Sequence, residues 1–450
     1  MTTPDVKSPD EPTADDSRPS ALARFFAHPS LPIALLLGAT VVALVWANSP
    51  FAASYRALVD MPLGVSFGDA ALKKPLVLWI NDGLMGIFFF LVGLEIKREV
   101  LVGELSNARK AALAIAAALG GMIVPALLYT LMQQGGSPEN GRGWGIPMAT
   151  DIAFALGLLS LLGSRVPASL RIFLTALAIV DDIGAVLVIA IFYTDTIALG
   201  SLAIGLGVFA VAIVANRLGA RSPLFYFMLG TLVWLAFLKS GVHATVAALL
   251  MAFTIPARTR IDRKAFVGEV GKSMTTLTAL PPNDNDRLNS PEEQRVIDVV
   301  AKKLDHVQAP LQTLEHQLYP IVKRAVLPVF ALANAGVAID GSLGASLTHP
   351  VALGIGLGLV VGKPVGVFVF SLVAVKLKLA ELPNGATLRH LLGVGLLAGV
   401  GFTMALFIGG LAFDDAALGD VSKVGILGGS VVAAFLGLAV LGIGSKPKPT

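Results

Sequence analysis

Two adjacent carboxylates, Asp181 and Asp182, sit in the run LTALAIVDDIGAVLVIAIFY, with about ten apolar residues on each side. Neighbouring helical residues point about 100° apart, so one can face a cavity while the other faces a second helix. Two carboxylates this close in a low dielectric cannot both ionise cheaply. One is therefore expected to hold a proton near physiological pH, or to exchange it for a small cation. Lys363, in GIGLGLVVGKPVGVF, is the matching oddity: a lone ammonium among aliphatic residues. It needs a carboxylate partner, and the 181/182 pair can supply one. The stretch superficially resembles a phosphate-binding loop, but Leu357 stands where that loop needs glycine and Pro364 where it needs Ser or Thr, which excludes an ATP site.

Asp151 is a third intramembrane carboxylate. It follows Gly143, Gly145, Pro147 and Thr150 and opens the short apolar run IAFALGLLSLLG. A second interruption, Gly399-Val400-Gly401-Phe402-Thr403-Met404, appears late in the chain. Paired Gly-interrupted spans point to a transporter site, because broken helices leave unpaired carbonyls and amides that bind ions. Asp151 can offset the dipoles of such half-helix ends. Asp82 and Glu95 lie in or at the ends of spans, where they are expected to face the other intramembrane charges or a water-filled cavity. His243 opens a span near the outer surface, and the six histidines show no metal-ligand spacing.

The elements that position these groups are membrane helices. Apolar residues make up 55% of the 450 and charged residues only 14%, against about 25% charged in a soluble domain. A mean hydropathy of +0.77 fits no soluble core. The absence of cysteine removes disulfides, thiolate metal sites and cysteine nucleophiles at once. A crossing helix needs about 20 mostly apolar residues. Twelve stretches qualify: 31–48, 76–98, 111–133, 147–163, 169–193, 200–216, 223–238, 241–256, 321–338, 349–375, 389–413 and 422–444. The first could be a signal peptide, but the long polar leader and the many spans that follow argue against it.

Lysine and arginine set the orientation. With a cytoplasmic amino terminus, 27 of the 34 lie on inner segments and 6 on outer loops, with Lys363 alone inside a span. Both termini are thus expected in the cytoplasm, and the net charge of +4 calls for no nucleic-acid partner. The chain then divides into a disordered cytoplasmic tail (1–27), eight helices (28–256), a cytoplasmic linker (257–320), four helices (321–444) and a short cytoplasmic tail (445–450). The outer connection 57–74 permits a small β-hairpin through Val65-Ser66-Phe67. In the linker, Ser290-Pro291-Glu292-Glu293 is a capping box, and Val296, Ile297, Val300, Leu304 and Val307 recur at helical spacing up to Pro310. A short amphipathic helix against the cytoplasmic face is expected there.

These segments together resemble the NhaA family of sodium/proton antiporters. The resemblance rests on WINDGLMGIFFFLVGLEIKRE, GGMIVPALLY, ATDIAFALGLLSLLGSRVP, the Asp181-Asp182 span, KSGVHAT, LPVFALANAGV, VGKPVG and GVGFTMALFIGGLAF, from about residue 76 to 413. The family is one of those in which paired broken spans were recognised as marking the site. The resemblance implies an all-α polytopic membrane protein of twelve transmembrane helices with an inverted repeat and two discontinuous helices crossing near mid-membrane. Asp181 and Asp182 would form the cation and proton site, with Asp182 favoured for direct ligation. Lys363 would pair with Asp181, while Asp151, Thr150 and Thr403 would support the crossing. Glu95, Lys97, Arg98, Glu99, Glu315 and His316 correspond to the family's cytoplasmic pH-sensing region, with His243 a further pH-sensitive candidate. Tyr319 stands where a second histidine is expected, and the 257–320 segment is longer than usual. An outer hairpin would support a homodimer in the bacterial inner membrane.

The implied activity is exchange of Na⁺ or Li⁺ for protons, electrogenic and driven by the proton gradient. It needs no cofactor, only its transported ions and the lipid bilayer. A cation channel is the competing reading, but nothing in the chain resembles a filter loop. An intramembrane hydrolase is less favoured still, because no Gly-x-Ser-x-Gly, His-Glu-x-x-His or cysteine is present.

Overall fold

The computed structural model describes residues 31–67, 70–194, 196–281, 288–338 and 343–443. The tails expected at 1–27 and 445–450 lie outside the described residues. Helix α1 (Leu31–Ala47) is followed by α2 (Ala52–Val59) at a bend of 117°, so α2 lies across the line of α1. Strands β1 (Pro62–Phe67) and β2 (Ala70–Pro75) then pair antiparallel, Pro62 opposite Pro75 and Phe67 opposite Ala70. The helices that follow are α3 (Leu76–Val102), α4 (Ala108–Met132), α5 (Ile152–Leu161), α6 (Ala168–Phe192), α7 (Leu199–Arg217), α8 (Pro223–Ser240) and α9 (Ala244–Thr254). Then come α10 (Arg263–Ala279), α11 (Pro291–Val307), α12 (Pro310–Ile321) and α13 (Leu327–Asn334). The last are α14 (Pro350–Lys376), α15 (Leu388–Ala398), α16 (Phe402–Ala412) and α17 (Ala416–Gly442).

Among the described residues, seven helices are long and apolar enough to cross a bilayer, or up to ten if each bent pair is one span. That falls short of the twelve stretches chosen from the sequence, for identifiable reasons. Helix α9 has 11 residues, about 16 Å at 1.5 Å per residue, which is too short to cross unaided. The stretch expected at 321–338 is helical from Pro310, with a π-helical turn at Val322–Val326 joining α12 to α13.

Apolar side chains cover the outside of the helices as well as the core, and carboxylates are found within. On α6, Asp181 and Asp182 are 1% and 2% exposed, while Leu187 and Ile191 on the same helix are 55% and 66% exposed. Apolar side chains outside and carboxylates inside is the arrangement a hydrocarbon solvent selects. Helices approach closely where glycines face each other. A Cβ on Gly366 of α14 would stand 2.0 Å from the Gly120 carbonyl oxygen of α4, so the two backbones are in direct contact.

In the linker, Ser290 and Glu293 make both bonds of the capping box at the start of α11: Glu293 N–H donates to Ser290 Oγ at 3.2 Å and Ser290 N–H to Glu293 Oε2 at 2.6 Å. Helix α10, which the sequence pattern did not suggest, lies beside α11, and Lys303 meets Glu269 at 2.6 Å.

Candidate functional site

Two spans are broken where the glycines and proline predicted. Residues Pro138–Met148 meet α5 at 45°, and α15 meets α16 at 47°. A half-helix begins with amides, and ends with carbonyls, that have no intrahelical partner. Here each break supplies partners for the other. Asp151 N–H donates to the Val400 carbonyl at 2.7 Å, and Thr150 Oγ1 donates to the Ala398 carbonyl at 2.8 Å. The Asp151 carboxylate bridges both half-helix starts. Its Oδ1 accepts from Phe154 N–H at 2.9 Å, and its Oδ2 accepts from Thr403 N–H at 3.2 Å and from the Thr403 hydroxyl. Asp151, Thr150 and Thr403 are all buried.

Helix α14 contains a π-helical turn at Gly358–Gly362, immediately before Lys363. The Lys363 side chain is fully buried, with Nζ 2.6 Å from Asp181 Oδ2. The same Nζ donates to the Met148 carbonyl, three residues before Asp151. One ammonium thus ties α14 to α6 and to the first break. Asp182 differs from its neighbours: among the described residues no side-chain hydrogen bond or ion pair reaches it. Asp182 Oδ2 and Asp181 Oδ1 are both buried without a hydrogen-bond partner. Of the three carboxylates buried around the breaks, Asp151 is committed to helix ends and Asp181 to Lys363, while Asp182 is uncommitted. Buried carboxylate oxygens without a hydrogen-bond donor call for a proton or a small hard cation.

A second group of charges lies at the far end of α3. Arg98 pairs with Glu99 at 2.8 Å and with Glu315 of α12. Glu99 also accepts from the Glu104 amide at 3.0 Å. Lys97 Nζ caps the end of α9, donating to the Phe253 and Ile255 carbonyls at 2.8 and 2.5 Å, where a cation also complements the helix dipole. Glu95 precedes Glu99 by one turn and has no ion pair among the described residues. Burial pushes the Glu315 carboxyl above its ordinary value, and the Arg98 guanidinium partly opposes the shift. His316 adjoins Glu315, and both line a surface depression shared with Arg98 and Tyr319. His243 precedes α9, with its ring edge-on to Phe407 at 6.2 Å between centroids.

Asp82 departs from expectation. Its carboxylate pairs with Lys74 of β2 at 3.0 Å rather than with an intramembrane charge, because the strand returns to the start of α3 and sets that lysine beside it. Two features escaped the sequence reading. Asn81 and Asn334 exchange side-chain amide hydrogen bonds of 3.2 and 2.8 Å, joining α3 to the end of α13. Ser430 of α17 accepts the Phe402 amide at 3.1 Å. The only signal for either was a polar residue inside an apolar run: ANAG for Asn334 and GGSVV for Ser430.

Comparison with known proteins supplies the family. A sequence profile described as Na⁺/H⁺ antiporter 1 matches residues 23–441. A curated relative from Oleidesulfovibrio alaskensis, named Na(+)/H(+) antiporter NhaA, is 49% identical over 428 residues, covering 94% of this chain and 95% of that protein. Proteins of the same name are 49% identical over 407 residues in Koribacter versatilis (90% of this chain, 88% of that one), and 46% identical over 430 residues in Bordetella parapertussis (96% and 98%). A solved structure of the sodium proton antiporter MjNhaP1 from Methanocaldococcus jannaschii at pH 8 is a looser likeness, with a TM-score of 0.48 and 14% identity over 94% of each chain. With its membrane region matched from end to end, the chain belongs to the Na⁺/H⁺ antiporter 1 family.

Proposed function

We propose that the protein is a secondary antiporter that exports Na⁺ or Li⁺ in exchange for protons, with Asp182 as the principal ligand and Asp181 as its partner. The observation that carries this reading is the uncommitted, buried Asp182 beside the Asp181–Lys363 pair. A carboxylate that binds either a proton or Na⁺, never both together, couples the two fluxes by competition. Thr150 and the carbonyls freed at the breaks are further hard oxygen donors of the kind Na⁺ prefers. The names of the curated relatives agree with this reading. The cations are cargo, so no resident cofactor and no bond-making chemistry is invoked.

Twelve crossings follow if each of the two broken pairs at α5 and α15–α16 counts as one, the stretch 321–338 as one, and α1 and α9 as one each. Crossings three to five and ten to twelve then form the two halves of an inverted repeat, each with its break in the middle member. The basic inner segments put both termini in the cytoplasm of a bacterial cell, with the β1–β2 pair outside as a contact between two copies. The Arg98–Glu315 group would confer pH regulation from the inner side.

Two titratable groups, Asp182 and either Asp181 or Lys363, at a site for one cation would make the exchange electrogenic, two protons for one Na⁺. Each cycle then moves one net charge inward, which a potential of 100 mV drives with about 2.3 kcal/mol. Two measurements test this. Adding Na⁺, Li⁺ or K⁺ to everted vesicles should move protons for the first two ions, and no response to any of them rejects the reading. In liposomes, a K⁺/valinomycin potential without a pH gradient should drive Na⁺ flux, and indifference to its sign means one-for-one exchange.

A further inference from the structure

The second break contains an unusual backbone. Phe402, the first residue of α16, has φ +23°, a region that L side chains rarely adopt. Such a conformation persists only where its surroundings hold it. Two contacts do so here: the Phe154 ring, 5.5 Å away between centroids, and Ser430 Oγ, which accepts the Phe402 amide at 3.1 Å. The next amide, Thr403 N–H, goes to Asp151 Oδ2. The start of α16 is therefore held by two acceptors, one from the site and one from α17.

Helix α17 is well placed to act as that support. A Cβ on its Gly429 would stand 3.0 Å from Gly356 Cα, and one on its Gly425 would stand 2.7 Å from the Ala352 carbonyl oxygen. The helix thus lies flush against α14, which carries Lys363. Ser430, 5% exposed, refers the second break to the same closely packed helix pair that carries the lysine.

We propose that Ser430 is a positioning residue for cation binding: its hydroxyl holds the Phe402 amide and so sets where Thr403 meets Asp151. This rests on the antiport reading above. Without the hydroxyl, the Phe402 amide is buried and unpaired, and the turn relaxes toward negative φ. Thr403 then moves against Asp151, and the crossing that frames the cation site is displaced.

The test is the Na⁺ dependence of exchange in proteoliposomes containing wild type, Ser430→Ala, Ser430→Thr or Ser430→Cys. Loss of one hydrogen bond predicts a KM for Na⁺ raised about 2- to 12-fold in Ser430→Ala, at an unchanged maximal rate per folded protein. Ser430→Thr, which keeps the acceptor, should restore the wild-type KM. If Ser430→Ala does not accumulate, Ser430→Cys, a weak acceptor of similar size, must show the same rise. An unchanged KM in the variant that folds overturns the proposal. So does an equal rise in the Ala and Thr variants, because packing rather than the hydroxyl would then be at work. Wild type that exchanges no Na⁺ would instead overturn the antiport reading on which the proposal stands.

Discussion

Replacing Lys363 by alanine removes an ammonium that is fully buried and 2.6 Å from an Asp181 carboxylate that is 1% exposed. Removing one partner of a buried ion pair costs about 3–5 kcal/mol, chiefly because the remaining charge is stranded. The Met148 carbonyl also loses its donor, at a further cost of about 1 kcal/mol. The expected result is a marked fall in thermal stability. If the stranded carboxylate is the cause, Asp181→Asn in the Lys363→Ala background should recover part of the loss, a coupling of about 1–3 kcal/mol. The assay is thermal unfolding of the four purified proteins in detergent at one pH. Na⁺ must be absent, because a bound cation stabilises by mass action and would mask the comparison. Equal melting of wild type and Lys363→Ala, or single effects that simply add, would refute the pairing argument.

Three further outcomes are expected. Asp182→Asn should abolish Na⁺-driven proton movement in everted vesicles while the protein still inserts and melts cooperatively, since the amide keeps the shape but cannot exchange a proton for a cation; near-normal exchange would remove Asp182 from the mechanism. Gly366→Ala should cost about 1–3 kcal/mol or more by overpacking and should impair transport, because its Cβ would meet the Gly120 carbonyl oxygen and push apart α4 and α14 one turn from Lys363; wild-type melting and flux would contradict the close contact. Because burial raises the Glu315 carboxyl, the stability this group contributes is full below the ordinary glutamate range and falls as pH rises through the raised value. Glu315→Gln should flatten that part of the melting-versus-pH curve, and a parallel curve would count against the shift.

The legible parts of the site were those that a membrane makes conspicuous. Asp181, Asp182 and Lys363 stand out because an ionisable group in an apolar run is costly, and the breaks stand out because glycine and proline mark them. What stayed hidden was long-range partnership and helix phase. Lys363 and Asp181 are 182 positions apart, and Thr403 and Asp151 are 252 apart. No local pattern distinguishes Asp181 from Asp182 as the lysine's partner; the resemblance to a known family did that. Phase is set by the π-helical turns at Ile80–Leu84, Val322–Val326 and Gly358–Gly362. One extra residue in a turn rotates everything after it by about 100°, so a regular helical projection from residue 350 would aim Lys363 elsewhere. Asp82 was misread for a similar reason, since its partner arrives from a strand that composition only permitted.

The division of labour among the buried carboxylates follows from what each one touches. Asp151 receives amides from the starts of two half-helices, Phe154 N–H and Thr403 N–H, so two positive dipole ends converge on one carboxylate. Three donors hold it in place, and any change in its charge would cost the crossing itself. Asp181 is held chiefly by Lys363, and that partner has an alternative, because Lys363 Nζ also reaches the Met148 carbonyl beside the first break. On the antiport reading, a cation or proton arriving at the 181/182 pair weakens the hold of Asp181 on the ammonium and shifts it toward Met148. The charge of the cargo site is thereby communicated to the backbone of the broken helix. A lysine bound only to Asp181 could tune affinity but could not pass that change on. On that same reading the carbonyl contact would link occupancy of the site to the geometry of the break, the kind of linkage that alternating access requires.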